Sequence, residues 1–245
     1  MLRPFHGLWV AAGFLTRIPV GDVSRAGRIE VDVAKAVPWF PVVGLAIGAA
    51  VGGVYAVSLE FFAPLVSASL ALAATMLITG AFHHDGLADV ADAFGGGWTI
   101  EERMAIMKDS RLGTYGTTAL ALALILEVAA VAQLDARDGF FALVVAHSLA
   151  RSMAVAAMIL SPATGNGMGA TYVERLSPIG ATFAILVGVA SAARFSPTFP
   201  LITIGAAAVA AIAVVALAVR KIGGLTGDVL GAVVVLSTLA ILITS

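Results

Sequence analysis

The chain has 245 residues, of which 60% are hydrophobic and only 12% are charged, and its mean hydropathy is +1.02. Because a soluble domain typically has about 25% charged residues, this composition predicts an integral membrane protein. The net charge of −1 argues against nucleic-acid binding, which requires a basic surface. The sequence contains no cysteine, which excludes disulfides, thiolate metal sites and cysteine nucleophiles.

Taken in chain order, the sequence begins with an apolar segment, 5–15, that is too short to span a bilayer, which takes about 20 residues. This segment predicts an interfacial or re-entrant helix. Seven longer apolar runs follow, with lengths that suit tilted membrane helices. They cover residues 38–59, 64–82, 117–134, 139–160, 179–193, 201–219 and 229–244. The predicted fold is therefore an all-α polytopic membrane bundle of about seven transmembrane helices, forming one integral membrane domain over residues 1–245.

The basic residues predict the orientation of this bundle, because cytoplasmic loops of membrane proteins are enriched in Lys and Arg. With the N-terminus inside, eleven of the 14 basic residues lie in inside segments, and only Arg137 and Arg194 lie in outside loops. Seven spans then place the C-terminus outside, whereas an eighth, N-terminal span would reverse one end. In this arrangement the long polar loops all reach the cytoplasmic face. These loops are 1–36, 83–116, 161–178 and 220–228.

The most polar part of the chain is the segment 80–116, which holds six of the 15 acidic residues. Asp85, Asp89 and Asp92 are spaced i, i+4, i+7, and on a helix they fall within an arc of roughly 60°. Three carboxylates on one face repel one another unless a cation compensates them. Hard oxygen ligands suit Mg²⁺, which commonly bridges carboxylates to substrate phosphates. The spacing therefore predicts a magnesium site, with a solvated acidic patch at a helix end as the alternative.

Two histidines precede the acidic residues. On a helix, His83 points about 160° away from Asp85, which predicts a structural role for His83. His84 flanks the acidic face more closely, where a metal ligand, a general base and an interfacial histidine are all compatible with its position. The carboxylate-rich composition and the lack of an HExxH pattern argue against a zinc site.

A second polar element is predicted after the acidic helix. The glycines at 95–97 are expected to end that helix, and residues 99–102 fit a capping box that begins a short helix. Beyond it, Lys108 and Arg111 are suited to hold phosphate oxygens, the arginine by a bidentate fork. Asp109 lies between them as a further metal ligand or a general base. A local salt-bridge cluster is the alternative for these three residues.

Two features outside this segment fit the same chemistry. A glycine-rich loop at 223–228 precedes the last apolar run, and it fits either an anion cradle at a helix N-terminus or a tight turn. Asp228, at its end, would add a fourth carboxylate to the metal site. Glu127 and Arg151 fall within predicted spans, where ionisable groups are functional candidates by default. They are also suited to pair with each other between helices.

Acids on one helical face, nearby basic residues and the lack of a thiol favour metal-assisted phosphoryl or nucleotidyl transfer. A cation transporter that uses the same acids is the alternative from a different functional class. A transporter usually places its site near mid-bilayer on broken helices. The gathering of polar loops on one face therefore favours an enzyme that acts on a charged cytosolic substrate.

The central segment resembles the cobalamin synthase family, the adenosylcobinamide-GDP ribazoletransferases. The resemblance covers nearly the whole chain in order. Its matching segments are 14–19, 40–44, 79–80, 84–89 with Asp92, 107–116, and 223–224 with 226–228. The chain departs from the family at His83, where leucine is more common, and at Ala93, where glycine is more common. Residues 172–175 match only in part, which leaves the role of the loop 161–178 open.

The resemblance implies a Mg²⁺-dependent enzyme of the bacterial inner (plasma) membrane with its active face cytoplasmic. The family joins adenosylcobinamide-GDP to α-ribazole, or its 5′-phosphate, and releases GMP. The implied metal ligands are Asp85, Asp89, Asp92 and Asp228. The implied catalytic residues are His84, Lys108, Asp109 and Arg111. The implied substrate-binding residues are Arg17, Ser110, Tyr115, Gly223, Gly224 and Thr226.

The expected partners are the two substrates and the lipid bilayer, with a homo-oligomer or an association with other cobalamin-pathway enzymes left open. The alternative enzyme is a CDP-alcohol phosphatidyltransferase. Its motif has arginine after an alanine, whereas in this chain Ala88 is followed by Asp89. This difference favours the cobalamin synthase resemblance.

Overall fold

The computed structural model describes residues 6–19, 35–164, 176–197 and 199–245. This part of the chain forms ten α-helices and no β-strand, apart from one isolated bridge between Ala163 and Leu225. The helices are α1 His6–Leu15, α2 Phe40–Ser58, α3 Pro64–Thr79, α4 Phe82–Gly96, α5 Ile100–Ile106, α6 Thr114–Val131, α7 Ala136–Leu160, α8 Pro178–Phe195, α9 Pro200–Ile222 and α10 Gly227–Ile243. The predicted all-α membrane bundle is confirmed.

Each of the seven predicted apolar runs overlaps a helix. Five helices are long and apolar enough to cross a membrane, namely α2 with the 3₁₀ turn before it, α6, α7, α8 and α9. Helices α3 and α4 pass the same test only as a pair bent by 91°, which would make a sixth span. Helix α10 is apolar but has 17 residues, and α1 has 10. The short N-terminal helix is therefore present, and its placement in the bilayer stays a prediction.

The sharp turn between α3 and α4 is produced by two residues in the left-handed region. Gly80 has φ +66° and Ala81 has φ +58°, and Ala81 is the only described non-glycine residue with positive φ. A Cβ at position 80 would collide with the side chain of Arg17, whose backbone N–H donates to the carbonyl of Ile78 at 2.7 Å. Glycine at position 80 thus allows both the turn and the close approach of the segment after α1.

Helix α7 forms the centre of the bundle, because 83% of an apolar stretch of 18 residues within it is buried inside the protein. It packs closely against α2 because two glycines of α2 face it. A Cβ at Gly44 would collide with the carbonyl of His147, and a Cβ at Gly48 would come within 2.6 Å of the carbonyl of Leu143. Membrane helices associate through small residues of this kind because lipid gives no hydrophobic driving force between helices.

The described parts of the four long polar loops meet at one end of the bundle, as the sequence predicts. Two hydrogen bonds join the loops 83–116 and 161–178 to the loop 220–228, from Arg103 Nη1 to Lys221 O (2.7 Å) and from Thr164 N to Leu225 O (2.8 Å). A third bond, from Arg17 N to Ile78 O (2.7 Å), joins the N-terminal segment to the end of α3. At the opposite end, the Tyr55 hydroxyl of α2 donates to the carbonyl of Leu134 after α6 at 2.7 Å. The polar end of the bundle therefore carries the predicted site.

Candidate active site

Helix α4 carries the acidic residues, and it ends at Gly96 as the glycine run predicts. Asp85 is exposed on this helix, whereas Asp89 and Asp92 are half-buried. Asp228 lies in the first turn of α10 and reaches the same place because Gly86 of α4 has no side chain. A Cβ at Gly86 would come within 2.9 Å of the Asp228 carbonyl oxygen and 3.0 Å of its Cα. This close packing brings four carboxylates from two helices into one acidic face, defined here as Asp85, Asp89, Asp92 and Asp228.

The acidic face carries unbalanced negative charge. Asp89 lies within electrostatic range of the three other carboxylates, and Asp228 lies within range of Asp85. No Lys or Arg of the described segments forms an ion pair with any of them. Like charges this close favour a bound cation or proton. The acidic face is therefore chemically suited to a cation.

The orientations of these side chains leave room for a ligand to complete a metal site. Among the described residues, no three Asp, Glu or His side chains are placed so that they could hold a metal ion by themselves. The carboxylates of Asp85 and Asp89 accept no hydrogen bond in that part of the chain, so their oxygens are available, and the Asp228 carboxylate accepts one only from its own backbone N–H. Mg²⁺ typically takes one or two carboxylates, several waters and substrate phosphates. The donor set therefore fits Mg²⁺ held jointly with a substrate, and the metal site stays a prediction.

Asp92 differs from its three neighbours because both of its oxygens are engaged. The N–H of Gly113 donates to one oxygen at 2.7 Å, and the N–H of Gly116 donates to the other at 2.8 Å. Both donors belong to the N-terminal turn of α6, whose N–H groups have no intrahelical partner. A Cβ at Gly113 or Gly116 would collide with the Asp92 carboxylate. In this structure Asp92 anchors the segment before α6 to α4, and its predicted role as a metal ligand stays a prediction.

The basic segment between α5 and α6 contains a local ion pair. The backbone N–H and Nε–H of Arg111 donate to the carboxylate of Asp109 at 3.1 and 3.0 Å. These bonds lower the pKa of Asp109 to about 2, which makes it a weak base while the pair persists. The salt-bridge alternative therefore describes the substrate-free arrangement of these two residues. Lys108 and Ser110 are exposed, and their side chains make no hydrogen bond within the described segments.

Helix α5, which precedes the basic segment, is fixed at both of its ends. The predicted capping box at the start of α5 is confirmed, since Glu102 N–H donates to Thr99 Oγ1 and Thr99 N–H donates to Glu102 Oε2, both at 3.1 Å. Backbone hydrogen bonds from residues 98 and 99 lower the pKa of Glu102. At the other end of α5, Met107 lies 3.9 Å from the Thr226 hydroxyl, measured from sulfur to oxygen. Arg103 of α5 donates from its Nε to the carbonyl of Gly97, just after α4, at 3.1 Å. Helix α5 therefore links the acidic helix to the loop that precedes α10.

The loop 223–228 contains the predicted glycines in a tight turn. Gly223 ends α9 in the left-handed conformation, with φ +81°. Gly224 lies against the carbonyl of Pro162, which a Cβ would approach to 2.6 Å. Thr226 is the N-cap of α10, and its hydroxyl accepts from the N–H of Val229 at 3.2 Å. These contacts give Gly223, Gly224 and Thr226 structural roles in the turn between α9 and α10. Their substrate-binding roles stay predictions.

The two remaining predicted substrate residues lie at opposite ends of α4. Arg17 is exposed beside Gly80, where α4 begins. The ring of Tyr115 lies over Gly95, where α4 ends, and Tyr115 is 58% exposed. Both side chains therefore flank the acidic face, and their predicted substrate contacts stay predictions.

Comparison with known proteins gives the same family. Residues 7–245 match the profile of the cobalamin-5-phosphate synthase family. The chain belongs to this family. The adenosylcobinamide-GDP ribazoletransferase of Ralstonia nicotianae is 38% identical over 240 residues, which cover 92% of this chain and 89% of that protein. The enzymes of the same name from Bradyrhizobium diazoefficiens and Shewanella pealeana are 40% and 37% identical, over 92% and 91% of this chain and 87% and 88% of their own lengths. No solved structure matches the chain.

The family assignment identifies the protein as a transferase of cobalamin biosynthesis.

Helix α4 of this synthase also carries residues that face away from the acidic face, into the bundle. His84 Nε2 lies 3.3 Å from Glu127 Oε2 of α6, and both side chains are buried. The structure therefore places His84 on the interior side of α4, and its predicted catalytic role stays a prediction. His83 is also buried, at 8% exposure, as its predicted structural role requires.

A second interior pair lies on α7. The Nη1 of Arg151 donates to the carbonyl of His147 at 2.7 Å and lies 3.3 Å from its Nδ1, while Nε2 of His147 lies 3.4 Å from the hydroxyl of Thr75. The expected pairing of Glu127 with Arg151 is wrong, because each charged group packs against a histidine instead. Glu127 Oε1 and Arg151 Nε have no hydrogen-bond partner in the described residues. We call Thr75, His84, Glu127, His147 and Arg151 the interior cluster.

The sequence argument missed His147 and Thr75, although a signal for both was present. His147 and Arg151 are four residues apart in an apolar run, as are Thr75 and Thr79. Polar residues at i, i+4 share one helix face. Such pairs in a membrane span predict a polar contact inside the bundle, because lipid cannot satisfy them.

Proposed function

We propose that this member of the family joins adenosylcobinamide-GDP to α-ribazole, or to its 5′-phosphate, releases GMP and requires Mg²⁺. The acidic face carries this proposal, because its unbalanced carboxylates suit a divalent cation that a diphosphate shares. The names of the relatives at 37–40% identity support the choice of substrates. The basic segment beside the acidic face supplies exposed cations for the phosphates.

In the proposed reaction, a ribose hydroxyl of the acceptor attacks the phosphorus that is attached to the aminopropanol arm of the corrinoid. A new oxygen–phosphorus bond forms, the bond to GMP breaks, and the hydroxyl proton passes to a carboxylate of the acidic face. Asp85 and Asp89 have oxygens available for this proton or for the metal. When bound, Mg²⁺ would supply neutralisation of the diphosphate charge, held by Asp85, Asp89 and Asp228.

The basic segment would hold the phosphate oxygens. The Arg111 side chain is 87% exposed, so its guanidinium can exchange the Asp109 carboxylate for a phosphate while keeping a bidentate geometry. Release from Arg111 would let the pKa of Asp109 rise from about 2 towards its ordinary value of 3.8. Lys108 would contribute a second positive charge from the same loop.

The direct test is turnover by the purified protein in lipid nanodiscs with adenosylcobinamide-GDP, α-ribazole and Mg²⁺, with GMP release and cobalamin formation as the readouts. We expect product that EDTA abolishes and that excess Mg²⁺ restores. Asp85→Asn and Asp89→Asn should each lower turnover roughly 100-fold or more without loss of membrane insertion. Asp138→Asn is the matched control, because Asp138 lies in the first turn of α7, away from the acidic face. Near-normal turnover in both acidic-face variants would contradict the proposal.

We further propose that the protein lies in the bacterial plasma membrane with the acidic face cytoplasmic. The chain has no cysteine, so a single introduced thiol reports its own side of the membrane. Ser110→Cys should react with a membrane-impermeant maleimide only in inside-out vesicles. Gln133→Cys, at the opposite end of the bundle, should react only in intact spheroplasts. The reverse pattern would overturn the orientation.

A further inference from the structure

Helix α5 leads from the acidic helix to the basic segment, and little apolar packing holds it in place. None of its seven residues is fully buried, and Met104 and Ile106 are only partly buried against the core. An isolated helix of this length is unstable in water. The position of the basic segment therefore depends on the polar contacts that fix α5 to its neighbours.

Arg103, in the last turn of α5, makes most of these contacts. Its Nε donates to the carbonyl of Gly97 at 3.1 Å, and its Nη2 donates to that of Trp98 at 2.9 Å, both just after α4. Its Nη1 donates to the carbonyl of Lys221, in the last turn of α9, at 2.7 Å. Carbonyl groups at a helix C-terminus lack intrahelical partners and favour a nearby cation. One side chain of α5 thus joins the ends of α4 and α9.

Two further features support this arrangement of Arg103. A Cβ at Gly97 would come within 2.6 Å of the Arg103 Cγ, so glycine at this position lets the side chain cross the chain after α4. Lys221 Nζ donates to the carbonyl of Phe94 in α4 at 3.3 Å, so a second cation links the same two helix ends in the opposite direction. Three of the five N–H donors of Arg103 are engaged with carbonyl groups. Arg103 is therefore placed to hold helices together and not to bind a phosphate.

The basic segment has a second anchor at its other end. The carboxylate of Asp92 accepts from the N–H groups of Gly113 and Gly116, at 2.7 and 2.8 Å. The exposed side chains of Lys108 and Arg111 thus lie on a short segment that is fixed both before and after them. A segment ordered in advance loses less conformational entropy when a ligand binds. The two anchors therefore favour tight binding of an anion by this segment.

We infer that Arg103 is a positioning residue, which holds Lys108 and Arg111 where the diphosphate of the corrinoid substrate binds beside the acidic face. The inference rests on the proposed function for the identity of that substrate. Arg103 acts through α5 and does not touch the substrate. The acidic face does not depend on it, because α4 and α10 pack directly on each other at Gly86.

The first test separates KM from kcat in lipid nanodiscs. Arg103→Gln should raise the KM for adenosylcobinamide-GDP roughly 10-fold, the effect of one lost bond from a charged donor. The kcat and the KM for α-ribazole should stay within about twofold of the wild type, as for a loss of binding alone. Arg103→Lys should not restore the KM, because an ammonium group lacks the planar fork that reaches three carbonyls. Arg220→Gln is the charge control, because Arg220 is exposed in the last turn of α9, and it should have wild-type kinetics.

The second test displaces Arg103 without replacing it. Gly97→Ala adds a Cβ where the Arg103 side chain crosses, so it should raise the same KM while the charge of the protein is unchanged. Gly96→Ala is the matched control. A Cβ at position 96 would lie 3.8 Å from Ile106 Cδ1, its nearest neighbour among the described residues, which is an ordinary contact distance. Gly96→Ala should therefore leave the KM unchanged.

The third test follows the basic segment and the metal site without turnover. Because the chain has no cysteine, Ser110→Cys with Gln133→Cys gives one pair of spin labels, whose distance distribution is measured by pulsed electron paramagnetic resonance. Arg103→Gln and Gly97→Ala should each broaden this distribution, and Gly96→Ala should not. In protein without the labels, the affinity for Mn²⁺, used as a probe for Mg²⁺, should stay within about twofold in every variant.

Several results would overturn the inference. They are a wild-type KM in Arg103→Gln or Arg103→Lys, equal effects of Gly96→Ala and Gly97→Ala, and a parallel fall of kcat, Mn²⁺ affinity and thermal midpoint, which would assign Arg103 to the fold as a whole. A raised KM with an unchanged distance distribution would make Arg103 a phosphate ligand instead. Wild-type protein that forms no cobalamin, with the broadened distributions in both variants, would contradict the proposed reaction and leave the positioning of the basic segment by Arg103 supported.

Discussion

The acidic face and the interior cluster differ in whether their charged side chains are balanced by opposite charge. The acidic face gathers four carboxylates from α4 and α10 and has no Lys or Arg paired with them among the described residues. The interior cluster holds Glu127 and Arg151, each beside a histidine, around a cavity of about 40 Å³. Such a cavity has room for a few water molecules. The charges of the acidic face are unbalanced and at least partly exposed, whereas those of the interior cluster are balanced and buried.

This difference separates the residues that we propose to hold a ligand from residues that hold the fold. Carboxylates that repel one another raise the free energy of the substrate-free protein, and a bound cation lowers this free energy again. Polar groups deep in the bundle are tolerated only when they find partners. Because His84 and Asp85 are neighbours on α4, the interior cluster sets the rotation at which α4 presents the acidic face. The following substitutions test each half of this comparison.

The largest effect is expected for Asp89→Asn. Loss of this carboxylate should lower kcat roughly 100-fold or more, since charge stabilisation by a bound metal is worth several kcal/mol in the transition state. In EDTA the same variant should have an unchanged or higher thermal midpoint, because one of four repelling charges is gone. Turnover assays and thermal unfolding in nanodiscs check both expectations. A variant that loses stability and activity together would mean that Asp89 supports the fold.

Glu127→Leu should show the opposite pattern. It leaves His84 without its partner in a buried site, which should lower the free energy of unfolding by about 1–3 kcal/mol. Turnover should fall in parallel, as α4 loses an anchor to α6, and Glu127→Gln should restore most of both quantities. Equilibrium unfolding in detergent checks the stability, with Gln133→Leu, an exposed substitution just beyond the same helix, as the control. A loss of kcat at full stability in Glu127→Leu would place Glu127 in the chemistry instead.

Local sequence patterns predicted most of the helices and the three carboxylates that α4 contributes to the acidic face. The i, i+4, i+7 spacing of the aspartates, the glycines after them and the capping box at Thr99 all depend on residues within one or two helical turns. Apolar length predicted the spans for the same reason. These features are fixed by periodicity and by local hydrogen bonds, so the structure agrees with them.

Features that depend on distant residues were not predictable from these patterns. The run 64–82 is continuously apolar, yet the chain turns by 91° at Gly80 and Ala81, where Arg17 from the segment after α1 packs against it. The rotation of α4 that directs His84 towards Glu127 is set by packing between helices. Such contacts join residues that are 43 or more positions apart, and no local pattern encodes them.

Asp92→Ala should have an intermediate effect that separates this aspartate from Asp89. It removes the acceptor for the N–H groups of Gly113 and Gly116, so these amides should exchange hydrogen faster with solvent. The local loss should be about 1–3 kcal/mol if the freed amides stay buried. Hydrogen exchange followed by mass spectrometry checks peptides that cover 107–116. Unchanged exchange there, together with a loss of Mg²⁺ dependence, would show that Asp92 acts as a metal ligand and not as an anchor.

Thr99→Ala should give the smallest effect. The Thr99 hydroxyl accepts from the N–H of Glu102 at the start of α5, and loss of an N-cap side chain typically costs about 1 kcal/mol. Helix α5 should therefore fray at its first turn, while Arg103 still holds its C-terminal half to the carbonyl of Lys221. Thr118→Ala, an exposed position inside α6, is the control. We expect faster hydrogen exchange in residues 100–103 and turnover within about twofold of the wild type, because a cap of this size shifts only a local equilibrium. A loss of turnover as large as that of Asp89→Asn would mean that α5 positions the basic segment for catalysis. The placement of Lys108 and Arg111 beside the carboxylates of the acidic face would then depend on α5 as well as on α4.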